Sequence, residues 1–144
     1  MVGMNKQDWY EDRILWRAEQ HKLFEKRCVR FPELPAEQRE LIQSGLSLEG
    51  NPVLVFFRDD ATWTLLTTAE IVTCHGGEVF RGQLDEIQKD VGLWSEAEPQ
   101  PDDKHTANYL ALNNLGFKVW APEGKELHAL WSILKMFPIT GVPA

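Results

Sequence analysis

The 144-residue chain is poor in the residues from which most recognisable chemistry is built. It has two cysteines, Cys28 and Cys74, too few for a disulfide framework, so two free thiols in a reducing compartment are expected. Its four histidines, His21, His75, His105 and His128, are scattered, with no HxH, HxxxH or CxxC spacing, so neither a metal site nor a cofactor is expected. No glycine-rich loop of the phosphate-cradling kind occurs; Gly76-Gly77 reads instead as a tight hairpin turn. No segment approaches ~18 consecutive apolar residues. Residues 1–6 hold no apolar run with a basic flank, so the chain is expected to carry no conventional export signal and to reside in the cytoplasm. There is no internal repeat and no low-complexity stretch.

Reactive constellations are equally scarce. Cys74 and His75 are adjacent, but neighbours on a strand point to opposite faces and cannot easily serve one nucleophilic site. Asp85, Glu86 and Asp90 could be drawn together as an acid/base group, yet carboxylates at such spacing are common on solvated surfaces. The chain is therefore expected not to be an enzyme.

The composition, 43% hydrophobic and 26% charged, is that of a globular domain, and the length suffices to bury a core without staples. Six tryptophans are a heavy load; some should anchor the core and one should reach a binding surface. The formal net charge of −7 arises entirely after residue 40, since residues 1–40 carry eight cations and eight anions. Such a chain is repelled by nucleic-acid phosphates unless it gathers its basic groups in one patch, and no nucleic-acid partner is expected.

The periodicity changes along the chain. Residues 5–30 read as one long helix without Gly or Pro, with Trp9, Trp16 and Leu23 seven apart on its buried side and Tyr10, Ile14, Phe24 and Cys28 widening that stripe. Pro32 and Pro35 break it, and a shorter helix follows to about Ser44, with Leu41 and Ile42 facing inward. Gly45 to Pro52 is a linker. From Val53 the period becomes two: strands are expected at 53–57, 62–67, 70–74, 78–81, 106–112 and 117–120, with 82–91 left between strand and helical turn. The polar, proline-bearing stretch 94–105 is expected to be a long exposed loop. Residues 123–137 form a last amphipathic helix, with Leu127, Leu130, Trp131, Leu134 and Phe137 on one stripe and Glu126 and His128 off it.

The strand order, the segment WTLLTTAEIV (Trp63 to Val72) and the closing GKELHALWSIL helix (Gly124 to Leu134) resemble the pleckstrin-homology-like superfold, nearest its bacterial and GRAM-type members. The resemblance covers about residues 53–138. It implies a bent antiparallel seven-strand barrel with a C-terminal capping helix over 52–138; with the helical segment read over 1–46 ahead of it and a tail over 139–144, an α+β fold is expected. It also implies binding of phosphoinositide head groups through basic residues in the first hairpin, but that hairpin here is Arg58-Asp59-Asp60, which repels polyanions.

What remains is recognition. The chain is expected to be an acidic protein-binding module for a basic partner, in its sharper form a bacterial immunity protein neutralising a toxin. The candidate contact residues are Asp59 and Asp60 on the hairpin and Glu96, Glu98, Asp102 and Asp103 on the long loop. The alternative is a peripheral lipid-binding domain, with Arg13, Arg17, Lys22, Lys26 and Arg30 facing anionic membrane. A homodimer seamed through Trp9, Trp16 and Leu23 is a third arrangement.

Overall fold

The computed structural model describes residues 6–44, 46–94, 109–122 and 124–139. Three α-helices and eight strands occur among them, in the order α1 (Lys6–Gln20), β1 (Val29–Arg30), α2 (Ala36–Gln43), β2 (Pro52–Asp59), β3 (Thr62–Thr67), β4 (Glu70–His75), β5 (Glu78–Gln83), β6 (Val91–Trp94), β7 (Tyr109–Leu112), β8 (Phe117–Trp120) and α3 (Lys125–Leu134). The strands form two antiparallel sheets, β1-β2-β3-β4-β5 and β6-β7-β8, and not a closed seven-strand barrel.

Where the two sheets meet, side-chain hydrogen bonds take the place of backbone pairing. β8 crosses the face of β3 and β4. There the Trp120 N–H donates to Thr73 Oγ1 (3.3 Å), Thr64 Oγ1 donates to the Trp120 carbonyl, and the two hydroxyls lie 2.8 Å apart. All three residues are buried, so these groups have no water to turn to.

The alternation of β2 to β4 places apolar side chains on both faces of the larger sheet. Leu54, Phe56, Leu66 and Ile71 point into a core shared with α1, α3 and the smaller sheet. Val55, Trp63, Leu65, Val72 and Cys74 point into a second core closed by Phe31, Leu34 and Ile42. The N-terminal segment thus covers one face through α2 and the other through α1, and Val29 and Arg30 pair with Val55 and Leu54 as an edge strand.

Expectations about all three helices are corrected. The first helix stops at Gln20, because Lys22 adopts the left-handed conformation (φ 52°) and a 3₁₀ turn, Leu23–Glu25, follows. Of the expected stripe, Tyr10, Ile14, Leu23 and Cys28 are buried and Trp9 and Phe24 partly so, but Trp16 is 42% exposed; within the helix the buried residues are Tyr10, Ile14 and Ala18, at the step of four. Leu41 of α2 points outward and Ile42 inward. In α3, Glu126 is 6% exposed instead of lying on the wet side, since Arg27 pairs with its carboxylate. Residues 84–87 form a 3₁₀ turn, and β6 follows at Val91. No helix is long and apolar enough to cross a membrane among the described residues.

Candidate functional site

The turn between β4 and β5 is formed by Gly76 and Gly77, both at positive φ (63° and 80°), which suits a tight hairpin. β5 leaves this turn paired to β4 alone, so it is an edge of the larger sheet among the described residues. Thr73 opposite Phe80 and Ile71 opposite Gly82 set the inner parity; Cys74 opposite Val79 and Val72 opposite Arg81 set the outer one. The two faces of this edge carry different chemistry.

On the inner face the turn between β7 and β8 leans over β5. A Cβ on Gly82 would lie 2.7 Å from Leu115 Cδ1 and 3.3 Å from Phe117 Cε1, so glycine here lets the Leu115 and Phe117 side chains approach the strand closely. Beside the contact a groove of about 420 Å³ opens, lined by His75, Phe80, Ala111, Leu112, Phe117 and Lys118. Its aromatic rings are stacked on one another: Phe80 lies 4.9 Å from His75 and 5.7 Å from Phe117, both near parallel, and Tyr109 meets His75 edge-on at 5.2 Å. The His75 imidazole is fixed by a 2.8 Å hydrogen bond between Nε2 and the Lys118 carbonyl, and Lys118 holds its ammonium 4.8 Å from the Tyr109 ring centre.

On the outer face a polar cleft of about 540 Å³ is lined by Ser47, Glu49, Glu70, Arg81, Gln83 and Glu86. Glu70 is 1% exposed and is held by Arg81 through two hydrogen bonds of 2.8 and 2.6 Å. It also accepts the Glu49 N–H at 2.7 Å, and the carboxylate raises the Arg81 guanidinium above its ordinary value. Arg81 is thereby neutralised internally. Glu49 and Glu86 leave the cleft anionic at its rim.

The residues singled out from the sequence fall elsewhere. Asp59 and Asp60 are exposed at the β2–β3 turn, where Asp59 Oδ1 accepts the Ala61 N–H at 2.8 Å and so shapes the turn. Glu96, Glu98, Asp102 and Asp103 lie outside the described residues. The five basic residues do not converge on one face. Arg13 pairs with Asp12 and sits between the rings of Trp9 (4.7 Å) and Trp16 (4.8 Å), and Arg17 lies over Trp16 at 5.1 Å. Lys26 donates to the carbonyls of His21 and Lys22 past the helix end, and Arg30 belongs to β1.

The remaining chemistry-bearing residues are engaged in structure. Cys74 is buried, with Sγ 3.5 Å from the Ala61 carbonyl, and its thiol is pushed up by burial and by Asp59. Burial pushes the Cys28 thiol up further. Asp85 accepts from Lys6 and from Tyr10, and Asp90 accepts from Asn113 at 2.9 Å. No group of three or more His, Cys, Asp or Glu side chains is placed to hold a metal ion among the described residues. Sequence reasoning missed Phe80 and Phe117 as a pair, because nothing local marks two partly buried phenylalanines 37 positions apart as neighbours.

Comparison with models of known protein families, with curated proteins and with solved structures finds no match for this chain.

Proposed function

We propose that the chain is a non-catalytic recognition module that binds a basic protein partner. The single observation that carries this reading is the edge strand β5, unpaired on one side among the described residues and bordered by an aromatic groove and an anionic cleft. Stacked rings give a partner rigid apolar area at small entropic cost, and the net charge of −7 favours encounter with a positive surface. In its sharper form the partner is a toxin and the chain its immunity protein. The architecture fits a pleckstrin-homology-like scaffold: strands β2–β5 and β6–β8 run as meanders of four and three, and a terminal helix follows.

The test is affinity capture from the source organism's lysate with the tagged chain, followed by titration of the purified protein. The expected result is one basic protein retained in stoichiometric amount, with an affinity that weakens as salt rises. Retention of nothing in stoichiometric amount would overturn the reading.

A second reading is favoured by Trp16, 42% exposed on α1 between the guanidinium groups of Arg13 and Arg17. An exposed indole flanked by cations is suited to the interface of an anionic membrane. Salt-sensitive pelleting with acidic liposomes, lost on reversing the charge of Arg13, Arg17, Lys22, Lys26 and Arg30, is its expected signature; no pelleting would dismiss it.

A further inference from the structure

The two grooves lie on opposite faces of one six-residue edge strand, Glu78–Gln83. Phe80 has the inner parity and enters the aromatic groove; Arg81 and Gln83 have the outer parity and line the anionic cleft. An extended chain laid against β5 would continue the sheet, and its side chains would alternate between these two environments. Apolar side chains would meet Phe80, Ala111 and Phe117. Side chains of the other parity would meet Glu49 and Glu86.

We infer that β5 receives an extended segment of the partner as an added strand, with apolar residues alternating with Lys or Arg. This rests on the reading of the chain as a protein-binding module and specifies how it binds. Strand addition supplies affinity through main-chain hydrogen bonds, and the pockets for alternate side chains supply selectivity. Charge decides between occupants. Arg81 is consumed by buried Glu70, and Lys118 is held over Tyr109, so the rim charges facing the incoming strand on the outer side are Glu49 and Glu86. Gln83 donates to the Glu49 carboxylate and leaves its charge in place. A second copy of β5 would present Val79, Arg81 and Gln83 at the outer parity, and its one cation there is already held by Glu70, so it would bring no unspent positive charge to this rim. An alternating basic and apolar strand would bring opposite charge.

The edge also has the mechanical properties that strand addition requires. The inner groove is braced by the approach of Leu115 and Phe117 over Gly82, and the outer cleft by the Glu70–Arg81 pair with its hydrogen bond from Glu49. Both pockets are therefore formed before any partner arrives, which lowers the ordering cost of binding.

The test uses the full chain and a phage-displayed random peptide library, selected at moderate salt. Selected peptides should alternate apolar with Lys or Arg over about six residues, the length of β5. The strongest peptide, made synthetically, should lose at least roughly tenfold in affinity against Phe80→Ser and against Glu86→Lys, both at sites that are not fully buried. N-methylating its backbone at every second residue should abolish binding in one parity and spare it in the other. That readout leaves the protein unchanged. Equal tolerance of both N-methyl parities would overturn strand addition, as would light scattering that reveals a dimer closed through β5. Selection of no peptide while a basic protein is still captured would sink the edge-strand mode and leave protein recognition standing. Failure of both capture and selection would remove the two together.

Discussion

Thr64 and Thr73 face each other on neighbouring strands with their hydroxyl oxygens 2.8 Å apart, and each holds one main-chain polar group of Trp120 from the other sheet. The Trp120 N–H donates to Thr73, Thr73 is within donating distance of Thr64, and Thr64 donates to the Trp120 carbonyl, which closes a ring of buried hydrogen bonds. Two hydroxyls thus fasten β8 across the larger sheet at β3 and β4.

Because the ring is shared, its members should not act independently. Thr64→Val or Thr73→Val alone leaves a buried backbone group of Trp120 without its partner, at a cost of about 1–3 kcal/mol. The double variant should be less destabilised than the sum of the two, by about 0.5–3 kcal/mol. Urea unfolding of the four proteins measures this, and strict additivity would show that the hydroxyls do not act together.

The Glu70–Arg81 pair is asymmetric in burial, with side-chain exposures of 2% and 35%. Removing each partner should therefore have a different consequence. Arg81→Ala strands a buried carboxylate and should destabilise by about 3 kcal/mol or more. Glu70→Gln leaves a guanidinium that reaches solvent and should cost less, about 1.5–3 kcal/mol, through weakened hydrogen bonds. Thermal unfolding at neutral pH gives the order, and a larger loss for Glu70→Gln would contradict it.

Tyr10 is 2% exposed and donates to Asp85, and burial together with that carboxylate pushes its phenol up to about 12. The folded form keeps the proton that the unfolded chain gives up near 10, so this contribution is complete below pH 10 and is lost as pH rises toward 12. Ultraviolet titration should show Tyr10 ionising later in the native protein than in the denatured chain, and Tyr10→Phe should flatten the alkaline fall in stability. Simultaneous ionisation in both states would contradict the burial argument.

On the first helix, Ile14 is fully buried and Trp16 is 42% exposed. Ile14→Ala should cost about 2–5 kcal/mol. Trp16→Ala, which removes contacts with Arg13 and Arg17 at the surface, should cost about 1 kcal/mol or less. Comparable losses at the two positions would mean that Trp16 of the Trp9, Trp16 and Leu23 stripe is packed as Ile14 is.

That stripe shows where sequence pattern stops being informative. Strands β3 and β8 are legible to the residue, since alternating apolar residues bounded by turns leave little choice. The end of α1 is not, because Lys22 takes a left-handed conformation that glycine or asparagine would have advertised. β1 is invisible, since two residues become a strand only by pairing with β2. The joining of the two sheets through Thr64 and Thr73 is hidden as well, since their hydroxyls read in sequence as ordinary strand residues. The site is less legible still. Asp59 and Asp60 stand out by charge and are exposed as expected, yet the grooves beside β5 depend on Gly82, Phe80 and Phe117 meeting across the fold.

Amide hydrogen exchange of the full chain, with and without its captured basic partner, tests most directly whether the β5 edge is the recognition surface. The predicted result is slowed exchange at residues 78–83, where the added strand takes up main-chain groups of the free edge, with α1 unchanged. Protection confined to α1 or to the β2–β3 turn, with β5 exchanging as in the free chain, would contradict it.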